Sequence, residues 1–232
     1  MLLSEADHDR IKAAVDEAET RTSGEIVSVL ARECSEYWEV PLVWAAAVSL
    51  ILPLAALVLG PRLDIDLSTY LTGGWVAANA GGADVAIEHA LIAYALLQGL
   101  LFVVTALFVS IPAVRRLLTP RALKRERVHR RALEQFMTRA YHLTEHDTGV
   151  LIFASLAERQ AIVLADEGVA AKVKPAEWKT VVDELVKGMK KKDPGLGFER
   201  AIARAADILA AHCPRQPGDH SELPDTVIEL DF

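Results

Sequence analysis

The stretch VPLVWAAAVSLILPLAALVLG, residues 40–60, contains no charged residue and decides how the rest of the chain is organised. A second uncharged stretch, ALIAYALLQGLLFVVTALFVSIPAV, covers residues 90–114. A helix rises about 1.5 Å per residue, so each stretch is long enough to cross a hydrocarbon core of about 30 Å. The sequence therefore predicts two transmembrane helices, at 40–61 and 90–114, joined by an extracytoplasmic loop at 62–89.

The charges that flank these stretches predict the orientation of the chain. The basic residues that follow the second stretch are Arg115, Arg116, Arg121, Lys124, Arg125, Arg127, Arg130 and Arg131. The loop at 62–89 carries one basic residue, Arg62, and four acidic ones. Because positively charged flanks stay in the cytoplasm, we expect a two-pass protein of the inner (cytoplasmic) membrane with both termini in the cytoplasm.

The same basic residues predict a lipid partner. We expect Arg115, Arg116, Lys124 and Arg125 to contact anionic headgroups, since each basic residue near such a surface contributes about 1 kcal/mol. Nucleic acid is not an expected partner, because the formal net charge of the chain is -7 and the basic run lies next to the membrane.

The sequence outside the two stretches predicts one α/β domain. EIVSVL at 25–30, GVLIFA at 149–154 and AIVLA at 161–165 have the length and β-branched content of strands, and the surrounding segments have helical periodicity. A lone strand cannot form a sheet, so the first strand must join the two that follow the hairpin. We therefore expect a small mixed sheet flanked by helices, with the two-helix transmembrane hairpin inserted in a long crossover connection.

In this interpretation, residues 1–39 and 115–214 form the cytoplasmic domain. The remaining segment, 215–232, is acidic and contains two prolines. We expect it to be disordered.

Three segments resemble the TPM domain family, named after thylakoid lumen, photosystem II repair and nicotinic-receptor accessory proteins. They are TSGEIV at 22–27, TGVLIF at 148–153 with Glu158-Arg159 in the following turn, and LGFERAI at 196–202. The resemblance implies an αβ sandwich, a metal or phosphate site, and either acid phosphatase activity or a role in assembly. The sequence departs from the family in having its hairpin inside the domain, and in having Asp166 where a glycine is common.

Carboxylates at the ends of the predicted strands are the candidate metal ligands. Asp166 and Glu167 follow the third strand, Glu25 opens the first and Asp147 precedes the second. Carboxylate oxygens are ligands for hard cations, so calcium or magnesium is the expected ion. The same residues also fit ordinary turns and strand edges. Arg159 is a candidate anion ligand or a residue that closes the hairpin turn.

Other motifs give weaker signals. His142, Glu145, His146 and Asp147 could hold zinc, although they lie where a helix runs into a strand. The sequence contains no P-loop, HExxH or GxSxG motif, and no catalytic residue is identified. The leading hypothesis is a membrane-tethered accessory module that supports the assembly or stability of a membrane complex, with a membrane protein or a second copy of the chain as partner. The rival hypothesis is a metal-assisted phosphatase at the cytoplasmic membrane face.

Overall fold

The computed structural model describes residues 2–59, 83–139, 144, 147–216, 223 and 225–231. The chain divides into two compact units. We call the first, Met1–Glu36 with Pro120–Phe232, the sheet unit, and the second, Tyr37–Thr119, the hairpin unit.

The elements include the three predicted strands and the two predicted apolar helices. Along the chain they are α1 (Glu5–Glu19), β1 (Glu25–Ala31), α2 (Glu39–Leu59), α3 (Ala83–Ser110), α4 (Pro112–Leu118), α5 (Arg121–Arg139), β2 (Gly149–Ser155), β3 (Gln160–Ala165), α6 (Glu167–Ala170), α7 (Trp178–Lys190), α8 (Pro194–His212) and β4 (Ile228–Leu230). The hairpin unit thus interrupts the sheet unit between β1 and β2.

A four-stranded mixed sheet with the order β3-β2-β1-β4 forms the centre of the sheet unit. β1 pairs in parallel with β2, with Val27 opposite Leu151, and β2 pairs antiparallel with β3. The prediction that the strand before the hairpin joins the strands after it is therefore confirmed, as is the predicted fold class.

The two faces of the sheet carry separate cores. One face packs against α1, α6, α7 and α8, with side chains such as Val15, Leu185 and Phe198 buried on Ile26 and Ile152. The other face packs against the apolar stripe of α5, which consists of Val128, Ala132 and Phe136. All seven residues of β1 are buried, as expected for a strand covered on both faces.

Local sequence signals position the helices of the first face. Ser4 and Asp7 form a capping box at the start of α1, in which each side chain accepts a hydrogen bond from the other residue's amide. Asp193 caps α8 by accepting from the amide of Leu196, and Pro194 occupies the first turn, where its missing N–H costs nothing.

The hairpin unit contains two helices that are long and apolar enough to cross a membrane. The qualifying segments are Glu39–Ala56 and Leu91–Ser110. α2 and α3 pack along each other, and most of the large apolar side chains between Leu91 and Phe108 are solvent-accessible rather than buried. Such exposure is typical of a surface that faces lipid.

Two sequence expectations need revision. Residues 215–232 were expected to be disordered, but Ile228–Leu230 form β4, an edge strand parallel to β1. The composition is misleading because the segment has few apolar residues, yet Leu223, Val227 and Leu230 are buried. In addition, the second long helix begins at Ala83, seven residues before the predicted start. The remainder of the predicted loop, residues 62–82, lies outside the described residues.

Candidate functional site

Three of the predicted metal ligands lie at one end of the sheet, where β1 and β2 begin and β3 ends. Glu25 is the first residue of β1 and lies opposite Gly149, the first residue of β2. The amide of Asp166 donates to the carbonyl of Gly149 over 2.9 Å, and the amide of Gly168 donates to the carbonyl of Asp147 over 3.0 Å. We call this end of the sheet, with Glu25, Asp147 and Asp166, the carboxylate rim.

Strand alternation indicates which face the rim occupies. Val27, Leu151 and Leu164 contribute to the core under α5. Residues two positions apart in a strand share a face, so Glu25, Gly149 and Asp166 fall in one row across the sheet, on the α5 side. Gly149, which lies between the two carboxylates in this row, has no side chain.

The carboxylates of the rim already have structural roles. Asp166 is fully buried and caps α6, where its side chain accepts from the amide of Glu167 over 2.8 Å. Glu25 is also buried, and its carboxylate accepts from the amide of Leu223 over 3.4 Å. Glu167 is exposed in the first turn of α6, where its charge complements the helix dipole.

Within the described residues, no group of three or more histidine, cysteine, aspartate and glutamate side chains is arranged to hold a metal ion. The zinc alternative involves His142, Glu145 and His146, which lie outside the described residues. The calcium or magnesium site at Glu25, Asp147, Asp166 and Glu167 therefore stays a prediction.

Arg159 lies at the opposite end of the sheet from the carboxylate rim. It is the last residue of the turn between β2 and β3, is exposed, and has a left-handed backbone with φ of 51°. β2 has seven residues, so at about 3.3 Å per residue the turn is roughly 20 Å from the rim. Arg159 therefore closes the hairpin and does not reach an anion held by the rim.

A second polar cluster lies at this opposite end, and the sequence did not predict it. The buried hydroxyl of Ser155 donates a short hydrogen bond to the carboxylate of Glu158. The other oxygen of Glu158 accepts from the amide of Cys34 over 3.3 Å. The cluster ties the segment after β1 to the hairpin turn, so Glu158 has a positioning role.

Burial strongly affects the thiol of this cluster. It raises the pKa of Cys34 to about 12, and the negative charge of Glu158 acts in the same direction, while a hydrogen bond with Ser155 opposes them. A thiol with so high a pKa is protonated at neutral pH and is a poor nucleophile.

A groove of about 270 Å³ lies between α1 and α8. Alanines line it together with Arg10, Glu17, Arg21 and Glu199. Arg21 is paired with Asp207 at 2.7 Å. The volume lies just below the range of about 300–1,000 Å³ that is usual for small-molecule sites, so the groove is not a candidate site.

Comparison with known proteins agrees with this architecture. The family model of the TPM domain matches residues 113–208. The solved structure of the BA42 protein from the psychrophilic bacterium Bizionia argentinensis is similar, with a TM-score of 0.53 and 17% identity, covering 98% of this chain and 94% of that one. No curated protein matches the chain.

The sheet unit is thus a small α/β domain in which helices cover both faces of a mixed sheet. Residues 113–208 match the family model of the TPM domain, and the resemblance seen in the sequence is confirmed. The match begins at residue 113, and the structure adds α1 and β1 to it from before the hairpin.

Proposed function

We propose that this chain is a TPM-type binding module anchored in the inner membrane by two helices, with both termini in the cytoplasm. In this role it supports the assembly or stability of a membrane complex. The observation that carries the proposal is the central position of β1. It lies between β2 and β4, which both follow the hairpin, so the sheet unit is joined covalently to the hairpin on both sides.

The short connections strengthen this argument. β1 ends at Ala31 and the first apolar helix begins at Glu39, while the second apolar helix ends at Ser110 and α5 begins at Arg121. A domain held by two short connections remains at the membrane surface. That location suits a module whose partner is another membrane protein or a second copy of the chain.

The chemistry of the rim favours binding over catalysis. Asp166 caps a helix and Glu25 is engaged by the tail, while Arg159 lies at the other end of the sheet. Phosphoryl transfer needs a nucleophile or metal-bound water together with an anion clamp near the same atom. A rim without Arg159 provides at most the metal-binding part of that arrangement.

The metal-assisted phosphatase remains the second candidate, and one observation favours it. Glu25 and Asp166 flank the glycine at 149 on the same face of the sheet. Carboxylate oxygens are the ligands that calcium and magnesium prefer. When bound, such an ion would supply a polarised water or a contact to a phosphate.

Anionic lipid is the proposed surface partner of α4 and the start of α5. α4 carries Arg115 and Arg116 beside Leu117, whose side chain is 83% exposed. Lys124 and Arg125 follow in the first turns of α5. An exposed leucine beside arginines is the pattern of a helix that lies in a headgroup layer.

Two measurements test the function. Reporter fusions after Phe232 and in the loop near Gly81 give the topology, and an exported C-terminus would contradict the proposed orientation. Calcium and magnesium are titrated calorimetrically into the detergent-purified protein and its Asp166→Asn variant, with hydrolysis of a generic phosphomonoester followed in parallel. We expect at most weak ion binding and no ion-dependent hydrolysis; hydrolysis that requires the ion and is lost in Asp166→Asn would establish the phosphatase instead.

The lipid contact has its own test. The protein is reconstituted into nanodiscs of phosphatidylglycerol or of phosphatidylcholine, and its stability is compared in the two lipids. We expect the protein to be more stable in the anionic lipid. Glutamine at Arg115, Arg116, Lys124 and Arg125 should remove the difference. The matched control replaces Lys187, Lys190, Lys191 and Lys192, an equal number of basic residues on and after α7.

A further inference from the structure

The end of the chain lies along the outer edge of β1. Val29 and Ala31 of β1 lie opposite Ile228 and Leu230 of β4 in parallel register. Beyond the ladder, the amide of Arg32 donates to the carbonyl of Leu230 over 3.0 Å. Without β4, the backbone groups on this edge of β1 would have no partner in the sheet.

The charges across this contact are segregated. Three acidic residues of the tail contact groups in residues 2–32. The carboxylate of Glu229 accepts from the amides of Leu2 at 2.8 Å and Leu3 at 2.9 Å, and it contacts His8 Nε2 at 3.0 Å. Two ion pairs add to this: Lys12 with Asp225 at 3.2 Å, and Arg32 with Asp231 at 3.0 Å. We call the outer edge of β1, together with the groups that contact these carboxylates, the strand-binding edge. Its hydrogen-bond donors are the amides of Leu2 and Leu3 and the side chains of Lys12 and Arg32.

The tail is held by a short ladder, by polar contacts and by the buried side chains of Leu223, Val227 and Leu230. The ladder of β4 has three residues, and the Arg32–Asp231 pair has both side chains about half exposed. Exposed ion pairs contribute little to stability and are screened by salt. Short edge elements of this kind open locally at much lower free energy than the core of a domain.

We propose that the strand-binding edge is an interaction surface for an extended, acidic strand, and that its partner is the segment 223–231 of a second copy of this chain. The tail of the same copy is then the competing intramolecular occupant. The sequence LPDTVIELD fits the edge in both register and charge, because it is the sequence that occupies it. Addition of a strand to an exposed edge is an established mode of recognition, and exchange of an identical terminal element is a low-cost route to dimers.

The first experiment asks whether the edge accepts a strand from outside. A fluorescein-labelled peptide of residues 223–231 is titrated into the full-length protein in detergent, and its anisotropy is measured. We expect the Glu229→Gln protein to bind it at least tenfold more tightly than the parent, because its own tail competes less well. A peptide with glutamine in place of Glu229 should bind at least tenfold more weakly.

A matched control separates this effect from a general loss of charge. Glu126 forms an exposed ion pair with Arg130 on α5, far in sequence from the tail, and Glu126→Gln should behave like the parent. Circular dichroism establishes whether the variants are folded. If Glu229→Gln is not folded, Asp231→Asn provides a milder weakening of the tail. Failure of the peptide to bind either folded variant, or equal binding of a scrambled peptide, overturns the proposal.

The second experiment asks whether the strand comes from another copy. Two full-length copies with different C-terminal tags are co-expressed, and the fraction that purifies together is measured. We expect copies of the parent to co-purify, excess peptide to separate them, and the triple variant Asp225→Asn, Glu229→Gln, Asp231→Asn to remain separate. Co-purification that the triple variant retains would assign the contact to the hairpin unit and overturn the exchange of tails.

Discussion

Gly188 of α7 and Gly197 of α8 lie against each other where the two helices cross. A Cβ atom on Gly188 would stand 2.7 Å from the backbone nitrogen of Gly197 and 2.8 Å from the carbonyl oxygen of Asp193. Backbone atoms cannot turn aside as a flexible side chain can, so the helices would have to separate. We expect Gly188→Ala to lower the free energy of unfolding by about 1–3 kcal/mol, the usual cost of overpacking, measured by urea titration in detergent.

Gly99 in α3 provides the control for this substitution. A Cβ atom there would meet nothing within 4 Å. Alanine also has the higher helix propensity, by about 1 kcal/mol. Since Gly99 lies in the hairpin unit, Gly99→Ala should leave the unfolding of the sheet unit unchanged. A Gly188→Ala protein as stable as the parent would contradict the close helix contact.

Two buried serines should respond in opposite ways to substitution by alanine. The hydroxyl of Ser28 is buried in β1 and has no hydrogen-bond partner among the described residues, whereas Ser155 donates to the carboxylate of Glu158. An unsatisfied buried hydroxyl opposes folding, while a bond to a charged group contributes about 1.5–3 kcal/mol. Ser28→Ala should therefore leave the urea midpoint unchanged or raise it, and Ser155→Ala should lower it; the same loss in both would refute the distinction.

Glu229 should make the sheet unit sensitive to acid. Burial alone would raise the pKa of its carboxyl, but the amides of Leu2 and Leu3 and the ring of His8 hold the pKa below the ordinary value of 4.5. A lowered pKa in the folded state means that the stabilisation is complete above pH 4.5 and is lost as the pH falls through the folded value. Urea midpoints measured from pH 6 to pH 3 should fall less steeply for Glu229→Gln than for the parent, and parallel curves would argue against this contact.

Cys34 should be resistant to alkylation in the folded protein. Its pKa is raised from 9.0 to about 12, which reduces the thiolate fraction at pH 8 roughly a thousandfold, and the thiolate is the reactive form. In a Cys213→Ser background, iodoacetamide should modify Cys34 slowly in buffer and rapidly in urea, as measured by mass spectrometry. Rapid modification of the folded protein would show that the site is more open than the structure indicates.

The fold was predictable where hydrophobic patterns are long. The run of β-branched and apolar residues at 25–30 and the two uncharged stretches gave the strand, the hairpin and, by the need for pairing partners, the single sheet. The edge where Glu25, Asp147 and Asp166 meet could be anticipated as well, because strand ends in one sheet converge. In each case, the pattern depends on neighbours in sequence or on a simple pairing rule.

The tail and the Glu158 cluster could not be predicted in this way. β4 has only three residues, too few for a period of two to be distinguished from chance. The carboxylate of Glu158 meets the amide of Cys34, 124 positions away, and such contacts have no signature in a single sequence. The N-cap role of Asp166 was also missed, since a one-turn helix gives no periodic signal after the cap.

The position of β1 has a consequence for the biosynthesis of the protein. Residues 25 and 149, which face each other in the sheet, are 124 positions apart, and at roughly 5–20 residues per second the ribosome needs about 6–25 s to make the interval. Throughout that time the first strand has been synthesised but has nothing to pair with, while both apolar helices emerge. The sheet can therefore be completed only after the hairpin has been translated. A product truncated before Gly149 presents an unpaired β1 segment to cellular proteases.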